Sequence, residues 1–365
     1  MKKSLLSIVI LFAIAFGANA QDTPLSISGY ADTYYKFDLG EKSNIATSFA
    51  SDQNSLSLGM IGVALKKTTG KASFVGELSF GPRGQGQSIV NIDNKFDESK
   101  HGFNIQNLNM TYAFTPEFSM AAGFFGTFVG YEVIAPVGNF NYSTSYLFTN
   151  GPFQNAGIKA TYAFSPKVSL MVGGFNESWN VYKANSSFGI STLGAQLMVA
   201  PVDGLTAYAN VLSGYVSGTI VDLTASYQAT KTFKVGLNAA DWSAGLGAKD
   251  AGYTGGALYL QNAFTEKFGL GIRGEYFKTK KNGGVAFGPD ANENVIAATL
   301  TGNFKAGGLT FIPEFRLDNA SSKSKYNNGI DFANGGVPIA VPFTNSKGVA
   351  TKQATQFSLA VVYAF

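Results

Sequence analysis

Phe357-Ser-Leu-Ala-Val-Val-Tyr-Ala-Phe365 puts Phe357, Leu359, Val361, Tyr363 and Phe365 on one parity, with Ser358, Ala360, Val362 and Ala364 on the other. Side chains of a strand alternate between two faces, so this is a strand with one apolar, aromatic face. The same period recurs upstream. Leu309, Phe311, Pro313, Phe315 and Leu317 alternate with Thr310, Ile312, Glu314, Arg316 and Asp318. Phe268, Leu270, Ile272, Gly274 and Tyr276 alternate with Gly269, Gly271, Arg273, Glu275 and Phe277. Phe74, Gly76, Leu78 and Phe80 alternate with Ser73, Val75, Glu77 and Ser79. The second face is small, polar or charged each time.

The turns carry a weak repeat. Thr111-Tyr-Ala-Phe-Thr-Pro-Glu-Phe-Ser119 returns as Thr161-Tyr-Ala-Phe-Ser-Pro-Lys-Val-Ser169. Looser copies are Ser226-Tyr-Gln-Ala-Thr-Lys-Thr-Phe233 and Ala263-Phe-Thr-Glu-Lys-Phe268, and Val362-Tyr-Ala-Phe365 is the same motif without its turn. Tyr112, Phe114, Tyr162, Phe164, Tyr227, Phe264, Phe304 and Phe365 are therefore expected at one height. An aromatic ring at one level suits a boundary between lipid and water.

Strands are expected near 24–38, 55–66, 71–81, 104–114, 117–126, 155–164, 167–177, 188–200, 204–216, 218–229, 231–242, 253–264, 266–278, 293–305, 308–318 and 354–365. That is about sixteen. Short links alternate with long ones near 39–54, 82–103, 127–154, 178–187, 243–252, 279–292 and 319–353. One link breaks the rule, because the connection near Gly218 is short where a long one is due. An even strand number with short turns at one rim and long loops at the other is the outer-membrane barrel pattern. A soluble sandwich would carry Lys and Glu on its wet face, whereas here that face is mainly Gly, Ser, Thr, Asn and Ala. Backbone groups in lipid must be paired, so strands can span only as a closed barrel. The fold class is all-β: a transmembrane antiparallel up-and-down barrel.

The first residues agree. Lys2 and Lys3 precede an apolar run from Leu5 to Gly17, and Ala18-Asn19-Ala20 follows. This reads as a signal peptide over 1–20, cleaved after Ala20, with the barrel over 21–365. No cysteine is present to carry a lipid anchor. The alternative is an uncleaved anchor helix.

Composition fits two opposite surfaces averaged together. The 365 residues are 14% charged and 14% aromatic, with 43 Gly, 11 Pro and one His, and the mean hydropathy is +0.07. Average soluble domains are roughly 25% charged. The net charge of +4 includes Lys2 and Lys3, and spread over this length it is no nucleic-acid footprint.

Gly123-Phe-Phe-Gly-Thr-Phe-Val-Gly-Tyr-Glu-Val-Ile134 resembles the OmpL-like β-barrel porin family, as do Asn139-Phe-Asn-Tyr-Ser143, Leu147-Phe-Thr149 and Gly157-Ile-Lys-Ala-Thr-Tyr-Ala-Phe164. The opening strand Ser28-Gly-Tyr-Ala-Asp-Thr-Tyr-Tyr35 and the ending Leu359–Phe365 resemble it too. The resemblance implies a bacterial outer-membrane pore and brings no catalytic residues. By analogy with porins, connection 127–154 folds into the lumen as a constriction loop carrying Tyr131, Glu132, Asn139, Asn141 and Tyr142. Covering the outside is the other option for it.

Asp32, Lys36, Glu77, Lys159, Asp222, Arg273, Glu275, Glu314 and Arg316 fall on the polar parity of their strands. A Lys or Arg facing lipid costs roughly 2–4 kcal/mol at the midplane, so these are expected to line the pore. Arg273 with Glu275, and Glu314 with Arg316, are spaced to pair across the wall. His101 and the Asn91–Glu98 stretch read as solvated loop rather than as a catalytic base or a calcium loop. Gly173-Gly174 and Gly255-Gly256 read as bends or close packing inside strands.

The function expected is a water-filled channel for passive diffusion of small hydrophilic solutes or ions, without cofactor, metal or catalysis. Its partners would be outer-membrane lipid, the barrel-assembly machinery through the strand ending at Phe365, and further copies of itself. The alternative is a surface adhesin or assembly protein with a plugged barrel, working through loop 319–353.

Overall fold

The computed structural model describes residues 22–85, 104–323, 325–331 and 337–365. Residues 1–20, expected from sequence to be a signal peptide, and His101 and Asn91–Glu98 lie outside the described residues. Strands β1 (Ser26–Asp38), β2 (Ser55–Thr69), β3 (Ala72–Phe80), β4 (Asn104–Ala113), β5 (Phe118–Gly126), β6 (Gln154–Ser165), β7 (Val168–Asn176) and β8 (Ile190–Val199) form the first half of the barrel. The second half is β9 (Leu205–Gly214), β10 (Gly218–Gln228), β11 (Phe233–Ser243), β12 (Gly252–Ala263), β13 (Phe268–Thr279), β15 (Asn294–Ala306), β16 (Leu309–Ala320) and β21 (Gln353–Ala364). These sixteen strands pair antiparallel and close on themselves through β1 and β21. Closure runs to the last residue: Gly29 N–H donates to Phe365 O at 3.1 Å, and Phe365 N–H to Gly29 O at 3.0 Å. The ends of the strands fall within three residues of those expected from periodicity.

Alternation produces the two faces. On β13, Ile272 and Tyr276 are exposed while Arg273, Glu275 and Phe277 are buried. On β16, Phe315 and Leu317 are exposed while Glu314, Arg316 and Asp318 are buried. A soluble protein would invert this, so the exposed apolar wall is the surface that lipid covers. Tyr112, Phe114, Tyr162, Phe164, Tyr227, Phe264, Phe304 and Phe365 are all exposed on that wall beside the short turns. Neighbouring rings touch, with centroids 4.9 Å apart for Tyr112–Phe114, 5.0 Å for Tyr162–Phe164 and 4.6 Å for Phe268–Phe304.

One wall position needs glycine. Gly123 in β5 has φ +137°, and a Cβ there would lie 2.3 Å from Leu108 O. The short link near Gly218 also has a local cause. Gly218 has φ +74°, and a side chain would meet Ser243 O at 2.1 Å. The chain therefore turns back directly from β9 into β10 under the neighbouring loop.

Periodicity did not announce the strands in the long loops. β14 (Phe287–Pro289), β17 (Tyr326–Asp331) and β18 (Val337–Val341) form a three-stranded sheet that joins loops 279–292 and 319–353. β19 (Phe343–Thr344) and β20 (Ala350–Thr351) pair separately. Runs this short carry too little alternation to stand out from turn residues.

The fold makes a plain prediction about lipid. Leu300 lies mid-way along β15 on the outer face and is 43% exposed. Leu300→Arg should destabilise the barrel by about 2–4 kcal/mol, read from urea unfolding in lipid vesicles, and Leu300→Ala should cost clearly less.

Candidate functional site

The site is the barrel interior, and connection 127–154 occupies it. The connection leaves β5 and runs past β8, β10 and β12 before lying across β13, β15, β16 and β1. Gln196 of β8 donates to Phe128 O at 3.0 Å, and Gly130 N–H donates to Asp222 of β10 at 3.0 Å. Asn139 ties 133–139 into a compact turn, donating to Val133 O at 2.6 Å and accepting from Val133 N at 3.0 Å. Helix α2 (Tyr146–Asn150) follows, its first turn capped by Ser145, whose hydroxyl accepts from Phe148 N–H at 3.0 Å.

A loop inside a barrel must find partners for its own amides and carbonyls. Wall charges supply them here. Glu314 accepts from the N–H of Tyr142 (3.0 Å) and of Ser143 (3.1 Å). Glu275 accepts from Tyr146 (3.0 Å) and Leu147 (2.9 Å). Arg273 donates to Ser143 O at 2.7 Å, and Arg316 to Thr144 O at 2.9 Å. Glu132 of the loop receives Arg273 at 2.7 Å and Ser145 N–H at 2.7 Å. Asn141 donates to Thr301 at 2.6 Å, and Thr301 in turn to Glu314 at 2.8 Å. Ion pairs and backbone bonds thus form one network, and charge-assisted bonds are the strong ones.

Two phenols complete it. Tyr142 donates to Asp32 at 2.5 Å, and Tyr146 to Asp318 at 2.5 Å. Burial lifts both phenols well above the usual range, and the carboxylate beside each adds to this. Burial also pushes the Tyr131 phenol up to about 12. These groups remain hydrogen-bond donors at any physiological pH.

All nine charged wall positions fall on the inner face, but their surroundings differ. Arg273, Glu275, Glu314 and Arg316 are buried under the loop. The spacing suggested that these four pair among themselves. Arg273 instead takes Glu132, Arg316 takes Asp318 through a two-point fork (2.8 and 3.0 Å), and both glutamates hold loop amides. Loop groups supply the partners of Arg273 and of both glutamates, while Arg316 pairs with Asp318 two residues along its own strand and also reaches Thr144 O. Lys36 donates to Ile45 O at 2.8 Å, and Asp32 also accepts from Met60 N–H at 2.9 Å. Asp222 accepts from Asn210 and Asn238 at 2.6 and 2.5 Å. Glu77 accepts from Tyr30 at 2.8 Å and from Asn107. Lys159 sits 4.3 Å above the Phe125 ring. Glu77, Lys159, Tyr131 and Asn139 keep partial exposure, whereas Glu132, Asn141 and Tyr142 are buried.

Several residues of the site were missed from sequence. Loop 39–54 also turns inward: Ile45 is buried, Ser48 N–H donates to Thr149, and Thr144 donates to Ser48 O. Arg83, in the one-turn helix α1 (Pro82–Gln85), lies 4.4 Å from the Phe49 ring and 4.8 Å from the Tyr142 ring, and donates to Ile134 O at 3.2 Å. The Ile45, Phe49 and Ala50 side chains of an otherwise polar connection were a usable signal for the loop, and the polar parity of β16 was one for Asp318. Arg83 carried none, since it stands in a connection without a period. Gly255, read as close packing, makes room for the loop, as a Cβ there would lie 3.1 Å from Leu147 Cδ2.

The model of the OmpL-like β-barrel porin-2 family matches residues 24–365, the whole of the barrel. The chain belongs to this family. It is a bacterial outer-membrane porin, a channel for passive diffusion. Solved porins share its fold at low identity. The anion-selective porin from Comamonas acidovorans superposes with a TM-score of 0.60 at 11% identity, over 94% of this chain and 100% of that one. A substitution mutant of the Rh. blastica porin gives 0.56 at 14%, over 94% and 100%. Vibrio cholerae OmpT in its trimer form gives 0.55 at 11%, over 94% and 99%. No curated protein sequence matches the chain.

Proposed function

We propose that this porin conducts small hydrophilic solutes through a lumen narrowed by loop 127–154. The observation that carries this is the clamping of Tyr142–Leu147 by Glu314, Arg273, Arg316 and Glu275. Of the nine wall charges, Asp32, Lys36 and Asp222 bond the inserted loops at Tyr142, Ile45 and Gly130, and the other six divide into two groups. Arg273, Glu275, Glu314 and Arg316 hold the loop in place, while partly exposed Glu77 and Lys159 face the solute path. Their opposite signs favour modest ion selectivity. Size selection comes from the loop. The channel is passive and non-catalytic, sits in outer-membrane lipid, is inserted through the strand ending at Phe365, and assembles with copies of itself.

Liposome swelling with a size series of neutral sugars tests this. Flux should fall steeply with solute size, and no flux even for the smallest sugar would overturn the reading. A second reading is favoured by one observation: Tyr326 of β17 packs on Tyr146 (5.9 Å) and Phe343 (4.2 Å), so the outer loops cover the loop from above. A plugged adhesion platform would look like this. Excising 325–341 should leave sugar flux almost unchanged if the first reading holds, and should abolish partner binding if the second does.

A further inference from the structure

We infer that the short-turn side of the constriction carries a binding subsite for small organic anions with a flat apolar face, such as aromatic carboxylates. This rests on the pore reading and names the class of solute it favours. The register of β10 to β13 sets the geometry. Ser226, Gly236, Tyr259 and Arg273 form one cross-strand row, and Gln228, Lys234, Gln261 and Gly271 form the next. Successive inward positions on a strand are about 7 Å apart, so the rows are close neighbours.

The inserted loop sets one ring on each row. Tyr131 stacks on Tyr259 with centroids 4.4 Å apart, directly over Gly236, where a Cβ would lie 2.3 Å from the Tyr131 oxygen. Phe140 covers Gly271, where a Cβ would lie 2.5 Å from its ring. Lys234 and its cross-strand neighbour Gln261 lie between these two seats. Each of these four side chains is partly exposed.

Lys234 differs from Lys159, which sits 4.3 Å above the Phe125 ring, and from the inward cations held under the loops. Arg273, Arg316 and Lys36 are fully buried and engaged. The Lys234 side chain makes no ion pair or hydrogen bond among the described residues. Glu132, adjacent to Tyr131, is held by Arg273 at 2.7 Å and leaves the ammonium uncompensated. An unpaired ammonium and an amide between two ring faces suit a ligand offering a carboxylate and a ring together. A cation of the same shape is repelled, an inorganic anion gains only the charge, and a neutral ring gains only the faces.

Calorimetric titration of detergent-solubilised protein with benzoate, acetate and benzylamine tests this without requiring a conducting pore. Benzoate should bind about ten-fold tighter than either of the others, since a charge contact or a ring contact is each worth that order. Lys234→Gln should erase the preference over benzylamine, and Phe140→Leu, which keeps the packing, should reduce the preference over acetate. Heat-modifiable gel mobility confirms that each variant is folded. Equal binding of the three probes, or a Lys234→Gln variant that still prefers benzoate, overturns the inference. Benzoate binding in a protein that gives no sugar flux would overturn the pore reading instead.

Discussion

Arg273→Ala is expected to free the inserted loop and raise single-channel conductance several-fold. Arg273 is fully buried and bonds Glu132 (2.7 Å), Ser143 O (2.7 Å) and Thr299 (3.2 Å). Its removal leaves Glu132 as a buried carboxylate with no cation, and breaking a buried pair from one side costs about 3–5 kcal/mol. The loop can escape that cost by swinging Glu132 toward water, because its neighbour Val133 is already exposed. The barrel wall itself loses nothing, since its ladder bonds are backbone to backbone. Conductance should therefore respond more than barrel stability. Arg273→Lys should fall between, as one ammonium reaches Glu132 or Ser143 O but lacks the fork. Planar-bilayer recording of the three proteins measures this, and unchanged step size in Arg273→Ala would show that the clamp does not hold the loop.

Arg316→Met should carry the largest cost to stability. Arg316 gives Asp318 a two-point fork, donates to Thr144 O, and lies 4.8 Å from the Tyr146 ring, with both charged side chains fully buried. Met leaves Asp318 charged and buried with only the Tyr146 hydroxyl, at a cost of about 3–5 kcal/mol. Arg316→Met combined with Asp318→Leu should recover most of that loss, because two apolar side chains need no partners. Urea unfolding of both singles and the double isolates the coupling. Additive losses would mean that the pair is solvated and that the lumen is wetter at β16 than the burial indicates.

The barrel was legible because period-two alternation is a direct consequence of strand geometry and lipid rewards it at every step. Leu300 beside Thr299, or Phe315 beside Arg316, is enough to assign inside and outside. The turn repeat around Tyr112 and Tyr162 placed the strand ends. The interior was legible only in part. Parity puts Arg273 and Glu275 on the inner face, yet it cannot say whether they meet water, each other or a loop. That depends on where the 27-residue connection between β5 and β6 runs, and no local period records its path. Arg83 and loop 39–54 were missed for the same reason: their partners, Ile134 and Thr149, are distant in sequence. Lys234 was available on the parity of β11, and its meaning came only from the rings that the loop brings to it.

The most direct test of the account is modification of a cysteine placed at the tip of the inserted loop. The chain contains no cysteine, so a single Val133→Cys variant labels at one place. Val133 is 46% exposed and lies between Glu132, held by Arg273, and Ile134, held by Arg83. In planar bilayers this variant should open in discrete steps, and a bulky thiosulfonate reagent should reduce each step. Steps unchanged after complete labelling would contradict a constriction formed by loop 127–154.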